Sequence, residues 1–182
     1  MTPDVTFIPG FLTKQEADQL LAGIKAEADF KQNDSSYPGK KRPRLEAWYG
    51  SWDYQYGRGS LLKTAPMPDY LQPIIDKIAA AGIGTYNAVL INLYRDGSDY
   101  VSPHSDDDYG DPFPTIPSLT LATARPFRFR LKKDRSVTVE YLPQHGDLLV
   151  MNGRTNSEWL HEVPKTAKKV GERINLTFRN RQ

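Results

Sequence analysis

The sequence predicts an α+β fold dominated by β-strands, in which two N-terminal helices pack on an antiparallel β-sandwich. Two observations lead to this prediction. Apolar residues recur at helical spacing only before residue 86, whereas after it they alternate with polar residues in short runs. Turn residues separate these runs at intervals of roughly ten residues, a spacing typical of a sandwich or barrel. A chain of 182 residues without an internal repeat is expected to form one domain.

Two N-terminal segments carry the helical pattern. The first, LTKQEADQLLAGIKAEA, contains a capping-box signature in which Thr13 precedes Glu16 by three residues. The second, MPDYLQPIIDKIAAAG, ends at Gly82 and contains Pro73, which a helix tolerates only near its start. Both segments are expected to pack one apolar face on the sandwich.

The rest of the chain has the pattern of strands separated by turns. Apolar and polar residues alternate in most of these strands, as expected when one face of a strand is buried. We predict strands over residues 86–94, 118–123, 127–132, 136–142, 147–151 and 173–179.

The composition excludes some classes of protein. The chain has no cysteine, which rules out disulfides and thiolate metal sites. No stretch approaches the roughly 18 apolar residues of a membrane helix, and the segment MTPDVTFIPG lacks a signal-peptide pattern. We therefore expect a protein that does not enter the membrane and that works in the cytoplasm.

The formal net charge of +2 conceals a separation of basic and acidic segments. Residues 31–44 and 125–135 are strongly basic, whereas six aspartates fall within residues 96–111. This distribution is consistent with a polyanion held at the rim of a cation-binding site. Solvated charged faces are the alternative interpretation.

The segment VSPHSDDDYG places His104 two residues before Asp106. In an extended or gently turning backbone, residues i and i+2 point to the same side, so both can contact one metal ion. We prefer His161 over His145 as the third ligand, because His161 follows an aromatic–apolar pair that would shield a metal. Two histidines and one carboxylate form the facial triad of non-haem Fe(II) oxygenases. A tetrahedral zinc site and a solvated polar turn are the alternatives.

The last predicted strand alternates cleanly, with Arg173, Asn175 and Arg179 on one face. An arginine fork binds a carboxylate through two parallel hydrogen bonds, so two arginines match a dicarboxylate. Asn92 and Tyr94 also share one face of their strand and are candidates to bind the same molecule. An ordinary polar sheet face paired with acidic residues is the alternative.

These motifs resemble those of a known family. The pattern NLY…HSDDD…H…RINLTFR, within roughly residues 40–180, resembles the AlkB family of Fe(II)- and 2-oxoglutarate-dependent dioxygenases. The segment RPRLEAWYG, residues 42–50, resembles the lid of members that repair alkylated nucleic acid. The resemblance implies a double-stranded β-helix (jelly-roll) core over residues 86–182, with N-terminal helices and a nucleotide-recognition lid in residues 1–85.

The resemblance also implies roles for individual residues around a metal. The implied Fe(II) ligands are His104, Asp106 and His161. Arg173, helped by Tyr94, would bind the distal carboxylate of 2-oxoglutarate. The residues implied to lie near the metal-bound end of this cosubstrate and to orient the Asp106 carboxylate are Arg179, Asn92 and Asn175.

The implied substrate contacts lie in and around the lid. Tyr49 and Trp48 would stack on an extruded base, with burial in the core as the alternative. Asp107 would contact that base, while Asp108 departs from the family, which often has Glu at this position. The basic residues expected to grip the phosphates of the substrate are Lys40, Lys41, Arg42 and Arg44.

The activity implied by the resemblance is oxidative demethylation of N-alkylated bases, of the 1-methyladenine or 3-methylcytosine type, in DNA or RNA. Fe(II), 2-oxoglutarate and O2 would take part, and formaldehyde and succinate would be released. The target base has to be flipped or single-stranded to reach a buried metal. The alternatives are 2-oxoglutarate-dependent hydroxylation of a protein or small molecule, and a binding module without catalysis. We expect a monomer located in the cytoplasm, or in the nucleoid or nucleus where its nucleic acid lies.

Overall fold

The computed structural model of the protein describes residues 1–55, 61–106 and 114–181. The strands, in chain order, are β1 (Val5–Ile8), β2 (Leu45–Gly50), β3 (Tyr54–Gln55), β4 (Leu61–Leu62), β5 (Ala88–Tyr94), β6 (Val101–His104), β7 (Ile116–Ala122), β8 (Phe127–Leu131), β9 (Thr138–Tyr141), β10 (Leu148–Met151), β11 (Trp159–Val163) and β12 (Arg173–Arg179). The helices are α1 (Lys14–Glu27), α2 (Gln72–Ala80) and α3 (Thr155–Glu158).

Two antiparallel sheets face each other. The major sheet has the strand order β1–β10–β7–β12–β5–β2, and the minor sheet has the order β6–β11–β8–β9, while β3 and β4 form a separate hairpin. Side chains from both sheets, such as Leu149 of the major sheet and Phe129 and Trp159 of the minor sheet, form one buried cluster between them. Neighbouring strands are mostly distant in sequence, as in a jelly roll. The predicted β-dominated fold is confirmed.

Helix α1 begins where the capping signature predicts. The Thr13 hydroxyl accepts a hydrogen bond from the Glu16 amide (3.2 Å), and the Glu16 carboxylate accepts one from the Thr13 amide (2.7 Å). These bonds satisfy amides that lack an intrahelical partner. Ala17, Leu20 and Ile24 are buried in the cluster that joins α1 to the major sheet.

The second helix starts later than predicted. Helix α2 begins at Gln72, after a short 3-10 turn at Asp69–Leu71, so Pro73 lies in its first turn. A proline costs little there, because the first amides of a helix have no intrahelical acceptor. The buried isoleucines of α2 pack in the same cluster as α1. No helix in the part of the chain that the structure describes is long and apolar enough to cross a membrane.

Both faces of β12 are covered, which places its polar residues inside the protein. Its apolar residues, Ile174, Leu176 and Phe178, pack with the helices on the outer face of the major sheet. Its alternating polar residues, from Arg173 to Arg179, face the minor sheet and are also buried. Exposure of this polar face to solvent is therefore excluded, although Arg179 does pair with an acidic residue, Asp106.

The segment predicted to be a lid is largely a strand of the major sheet. Residues 45–50 form β2, which pairs with β5 from Leu45 opposite Leu93 to Gly50 opposite Ala88. Both β1 and β2 precede residue 85 and still belong to the same sheet as strands that follow it. The N-terminal part of the chain therefore contributes directly to the sheet that carries the candidate site.

Candidate active site

A row of polar side chains crosses the inner face of the major sheet. Strand pairing puts Glu46 opposite Asn92, Asn92 opposite Asn175, and Asn175 opposite Thr120. All four residues are buried. Directly opposite residues on antiparallel strands have Cβ atoms about 4.5–5.5 Å apart. The side chains of this row are therefore close enough to give one another the hydrogen-bond partners that buried polar groups need.

Most of this row lines a cavity between the two sheets. The cavity has about 530 Å³ of empty space, counting its open mouth. Polar residues of β5 and β12 line one side, and His104, Phe127 and His161 of the minor sheet line the other. The sandwich therefore contains a polar chamber where most of its interior is apolar.

The three predicted metal ligands meet at the minor-sheet side of the cavity. His104 ends β6 and pairs in register with His161 of β11, and the two ring centroids are 4.3 Å apart. One potential ligand atom from each of His104, Asp106 and His161 lies within 4.8 Å of the other two. A metal ion bound by three such atoms keeps coordination positions open for other ligands.

His145 lies outside this cluster and has a structural contact instead. Its Nδ1 accepts a hydrogen bond from the Ala122 amide (3.0 Å), and its Nε2 lies 3.1 Å from Asp18 Oδ1 of α1. Both ring nitrogens are engaged by the protein. The structure thus brings His161, and not His145, together with the other two predicted ligands.

The surroundings of His161 and Asp106 favour the protonation states that metal binding requires. Burial, together with the neighbouring His104, lowers the pKa of His161 to about 3. Burial opposes ionisation of Asp106, but the Arg179 guanidinium at 2.8 Å and the two histidines hold the pKa of Asp106 well below its ordinary value. Neutral imidazoles and an ionised carboxylate are the forms that bind a metal ion.

Hydrogen bonds orient the His104 side chain and hold the backbone of Asp106 in place. His104 Nδ1 lies 2.8 Å from the Ser102 carbonyl, an acceptor that requires a proton on Nδ1 and leaves Nε2 for a metal. The Asn156 side chain accepts a hydrogen bond from the Asp106 amide (2.8 Å) and donates one to the Asp106 carbonyl (2.5 Å). The sequence motifs do not reveal Asn156, because it is 50 residues from the loop that it holds.

Arg173 is a buried cation, 1% exposed, without a carboxylate partner among the described residues. Its Nη2 donates to Thr120 Oγ1 (2.9 Å) and Asn175 Oδ1 (2.6 Å), whereas its Nε and Nη1 find no acceptor there. Burial lowers the pKa of Arg173 to about 10, which shows that the surroundings disfavour the cation. A bound anion would offset this penalty, and the two unused donors suit a carboxylate.

The position of Arg173 fits the predicted cosubstrate. Arg173 lies opposite Tyr94 in register, with its guanidinium carbon 5.4 Å from the Tyr94 ring, and Tyr94 lines the cavity that holds the histidine–aspartate cluster. A dicarboxylate that also coordinates a metal requires a cation for one carboxylate and a metal site within reach of the other. The residues present therefore fit Fe(II) and 2-oxoglutarate, whereas a zinc site alone would leave the buried arginine unexplained.

The other residues predicted to hold the cosubstrate belong to the same polar network. Asn175 accepts a hydrogen bond from Ser118 (2.9 Å), and Asn92 accepts one from Arg44 Nε (2.9 Å). Arg179 pairs with the carboxylate of the predicted metal ligand, in agreement with the orienting role expected for it. Direct contact of these residues with a cosubstrate stays a prediction.

The structure corrects the prediction for the stacking aromatics. Tyr49 is buried on the helix-facing side of β2 and therefore points away from the cavity. Trp48 points to the other side, where it stacks on Tyr54 with ring centroids 4.6 Å apart. Of these three aromatics, Tyr54 is the one that lines the cavity. Asp107, predicted to contact the base, lies outside the described residues.

The structure also corrects the expected phosphate contacts of Arg42 and Arg44. Both arginines are buried and pair with the buried carboxylate of Glu46, at 2.7 Å for Arg42 Nη1 and 2.8 Å for Arg44 Nη2. They line the cavity and do not form an exposed rim. Burial of two arginines is tolerated because this carboxylate lies between them. Lys40 and Lys41 are exposed.

Arg125 is a further buried arginine that the sequence motifs do not single out. Its guanidinium donates hydrogen bonds to the carbonyls of Asp96 (2.8 Å), Asp99 (3.1 Å) and Pro164 (2.7 Å). It thereby ties the turn that follows Tyr94 to the segment that follows β11. The sequence places Arg125 in a basic stretch, where an exposed position is the usual expectation.

Comparison with known proteins agrees with this site. A family model described as "2OG-Fe(II) oxygenase superfamily" matches residues 4–179. A mouse (Mus musculus) protein, "Alpha-ketoglutarate-dependent dioxygenase alkB homolog 3", is 36% identical over 193 residues, which cover 96% of this chain and 65% of the relative. The human (Homo sapiens) "DNA oxidative demethylase ALKBH2" is 35% identical over 180 residues, which cover 91% of this chain and 69% of the relative.

The chain thus spans 65% of the length of the mouse relative. A solved structure titled "The structure of OsALKBH1" superposes with a TM-score of 0.73 and 18% identity, over 99% of each chain, which shows the shared fold. The match to the family model extends over the strands that carry the histidine–aspartate cluster and Arg173. The chain belongs to the 2OG-Fe(II) oxygenase superfamily and, within it, to the AlkB family.

Proposed function

We propose that the protein is an Fe(II)- and 2-oxoglutarate-dependent dioxygenase that removes methyl groups from ring nitrogens of bases in DNA or RNA. The substrates would be of the 1-methyladenine or 3-methylcytosine type. One observation carries the proposal: a buried cluster of two histidines and an aspartate lies in a cavity that Tyr94 also lines, and Tyr94 is opposite Arg173, a buried cation without an anion among the described residues. The names of the relatives, an alkB homolog and a DNA oxidative demethylase, support the substrate class.

Each group of residues has a distinct task in this proposal. His104, Asp106 and His161 would hold Fe(II), and Arg173 would bind 2-oxoglutarate. When bound, these groups supply the oxidation, in which O2 and 2-oxoglutarate yield succinate and CO2 while the methyl group is hydroxylated and lost as formaldehyde. The Arg179 guanidinium keeps Asp106 ionised, so the set of three ligands stays complete at neutral pH.

The depth of the site restricts the form of the substrate. Asp106 and His161 are each 6% exposed, and Phe127 stacks on the His161 ring with centroids 5.4 Å apart. A base inside a duplex cannot reach side chains at this depth, so the target nucleotide has to be flipped out or unpaired. Tyr54 and Leu90 line the cavity and offer the apolar surface on which a planar base can pack.

The proposal is tested by incubating the purified protein aerobically with Fe(II), 2-oxoglutarate and an oligonucleotide that contains 1-methyladenine or 3-methylcytosine. We expect formaldehyde and succinate in equal amounts, together with the unmethylated base. The matched control is the same oligonucleotide without the methyl group, which should release no formaldehyde. Succinate formation that is stimulated only by a peptide or small molecule, with no formaldehyde from either oligonucleotide, would favour the hydroxylase alternative.

A substitution of Tyr54 tests whether it stacks on the base. Tyr54→Leu keeps an apolar side chain but removes the aromatic face, and base–aromatic stacking is worth about 1–3 kcal/mol. We therefore expect turnover of a subsaturating methylated oligonucleotide to fall by about 5- to 150-fold. Tyr54→Phe should keep most of the activity, and binding of 2-oxoglutarate should be unchanged in both variants. Equal turnover by Tyr54→Leu and the unmodified protein would exclude the stacking role.

A further inference from the structure

The Asn92 side chain presents one end of its amide to the protein and the other end to the cavity. Asn92 lies in register between Glu46 of β2 and Asn175 of β12, is 7% exposed and lines the cavity. Its Oδ1 accepts a hydrogen bond from Arg44 Nε (2.9 Å), whereas its Nδ2 donates to no residue that the structure describes. The two N–H groups of a buried amide are thus available to a ligand in the cavity.

Arg44 determines which end of this amide faces the cavity. The terminal torsion of an asparagine side chain is broad and roughly two-fold, so its oxygen and nitrogen can exchange places. A guanidinium has N–H donors and no acceptor, so only the amide oxygen can face it. With Arg44 in place, the Asn92 side chain therefore offers donors, and not an acceptor, to the cavity.

Glu46 holds the Arg44 guanidinium in the orientation that this contact needs. Arg44 Nη2 lies 2.8 Å from Glu46 Oε1, so the guanidinium is fixed by Glu46 at one nitrogen and by Asn92 at another. The Glu46 carboxylate is itself held by Arg42 Nη1 at 2.7 Å and by Asn33 Nδ2 at 3.1 Å. These contacts leave the Arg44 guanidinium little freedom to turn away from Asn92.

Stability alone does not account for these buried charges. Taking two charged groups out of water carries a large desolvation cost, and replacing a buried ion pair with apolar residues is often neutral or stabilising. Arg44 and Glu46 both line the cavity, next to the amide that they orient. The arrangement therefore favours an effect on a bound ligand over an effect on stability.

We propose that Glu46 and Arg44 are positioning residues for 2-oxoglutarate, which act by holding the Asn92 amide with its nitrogen toward the cavity. The oxygen atoms of an ionised 2-oxo dicarboxylate accept hydrogen bonds and cannot donate them. Asn92 Nδ2 attracts these oxygen atoms, whereas Oδ1 in its place would repel them. The inference rests on the proposed function for the identity of the cosubstrate. It gives Arg44 a role toward that cosubstrate instead of the phosphate contact expected from the sequence.

The role of Arg44 is tested by the Kd of 2-oxoglutarate, measured by calorimetry on the Fe(II)-loaded protein without O2. In Arg44→Met, the unliganded protein can turn the amide oxygen of Asn92 toward water, and binding of 2-oxoglutarate forces that oxygen back against an apolar side chain. A buried acceptor without a partner costs about 1–3 kcal/mol, so we expect the Kd to rise by about 5- to 150-fold.

Arg42→Met is the matched control for Arg44→Met. Arg42 pairs with the same carboxylate of Glu46 but forms no hydrogen bond with Asn92, so the Kd of 2-oxoglutarate should be unchanged. Arg44→Lys is a second variant that keeps a cation beside Glu46 and is therefore expected to fold. Its single ammonium group cannot reproduce the fork that contacts Glu46 and Asn92 together, so its Kd should also rise. An unchanged Kd in both Arg44 variants would overturn the proposal.

A double-mutant cycle separates positioning from the loss of a positive charge. If Arg44 acts through Asn92, Arg44→Met should not weaken binding further once Asn92→Ala has removed the amide. A direct attraction between the Arg44 charge and the dicarboxylate would persist in the Asn92→Ala variant and make the two effects additive. Additive effects would therefore overturn the proposal.

Glu46 is tested by a second cycle with Glu46→Gln, which keeps the size of the side chain and removes its charge. The Kd of 2-oxoglutarate should rise in Glu46→Gln and should not rise further when this change is added to Arg44→Met. The KM for 2-oxoglutarate should rise with the Kd, while kcat at saturating 2-oxoglutarate falls less, a split that a general loss of stability would not produce. An effect of Glu46→Gln that persists in the Arg44→Met variant would show that Glu46 does not act through Arg44.

The two proposals fail in different ways. Demethylation of a methylated oligonucleotide, together with additive effects in the cycle of Arg44 and Asn92, would support the proposed function and overturn the positioning role. Non-additive effects on 2-oxoglutarate binding, without demethylation of any methylated oligonucleotide, would contradict the proposed function and support the positioning role. A folded, Fe(II)-loaded protein that binds no 2-oxoglutarate would overturn both.

Discussion

Replacing His104, Asp106 or His161 with alanine is expected to abolish demethylation. The cluster offers three ligand atoms within 4.8 Å of one another, so the loss of one leaves two, too few to hold an ion in the cavity. The effect on Fe(II) affinity should exceed the roughly 10- to 100-fold that loss of a supporting residue costs. Anaerobic titration with Fe(II), followed by calorimetry or by the absorbance of the 2-oxoglutarate complex, measures that affinity without relying on turnover.

The matched control for these variants is His145→Ala. Its side chain bonds to the Ala122 amide and to Asp18, so its loss should lower the free energy of unfolding by about 1 kcal/mol per hydrogen bond and leave Fe(II) affinity intact. Thermal unfolding of each variant separates a lost ligand from a lost fold. Normal Fe(II) binding by a folded His161→Ala variant, together with lost binding in His145→Ala, would show that the wrong distal histidine was assigned.

Local patterns in the sequence are sufficient for part of this site. The alternation in β12 puts Arg173 and Arg179 on one face of a strand, and the spacing of His104 and Asp106 puts both on one side of their loop. These properties depend on backbone geometry alone. The choice of His161 depends on more, because only the pairing of β6 with β11 brings its ring beside His104.

The errors in the sequence prediction come from properties that a local pattern does not contain. Tyr49 and Trp48 are adjacent in β2, and a shift of one residue reverses the face to which a side chain points. A motif that locates the segment is therefore insufficient to decide which aromatic reaches the cavity. Tyr54 is placed there by the β3–β4 hairpin, whose strands have two residues each and give no recognisable alternation.

The predicted phosphate contacts of Arg42 and Arg44 are wrong for a related reason. A run of basic residues ordinarily indicates a solvated surface, and Lys40 and Lys41 are indeed exposed. Arg42 and Arg44 are buried because Glu46, on the same inward-facing side of β2, supplies a carboxylate to both. One acidic residue two positions after Arg44 thus places two of the predicted phosphate contacts in the wall of the cavity.

Arg173→Lys is expected to raise the KM for 2-oxoglutarate by about 10- to 100-fold. A lysine cannot reproduce the guanidinium fork, and each charge-assisted hydrogen bond that is lost is worth about 1.5–3 kcal/mol. The structure leaves Nε and Nη1 of Arg173 without an acceptor among the described residues, and these are the donors that lysine lacks. The increase should appear in KM for 2-oxoglutarate and in its Kd measured on the Fe(II)-loaded protein, whereas Fe(II) affinity should change little.

The control for the cosubstrate prediction is Arg128→Lys, the same chemical change in a residue that pairs with Glu140 and Glu162 on the minor sheet. It should leave the 2-oxoglutarate requirement unaltered, so that an effect of Arg173→Lys cannot be assigned to a general loss of arginine. Because Arg173 is fully buried, its replacement also changes the hydrogen bonds that it donates to Thr120 and Asn175. The unfolding temperatures of the variants therefore have to be compared, to separate an effect on stability from an effect on binding. A stable Arg173→Lys variant with an unchanged Kd for 2-oxoglutarate would mean that the dicarboxylate is anchored elsewhere and that the buried cation serves only the polar network of the major sheet.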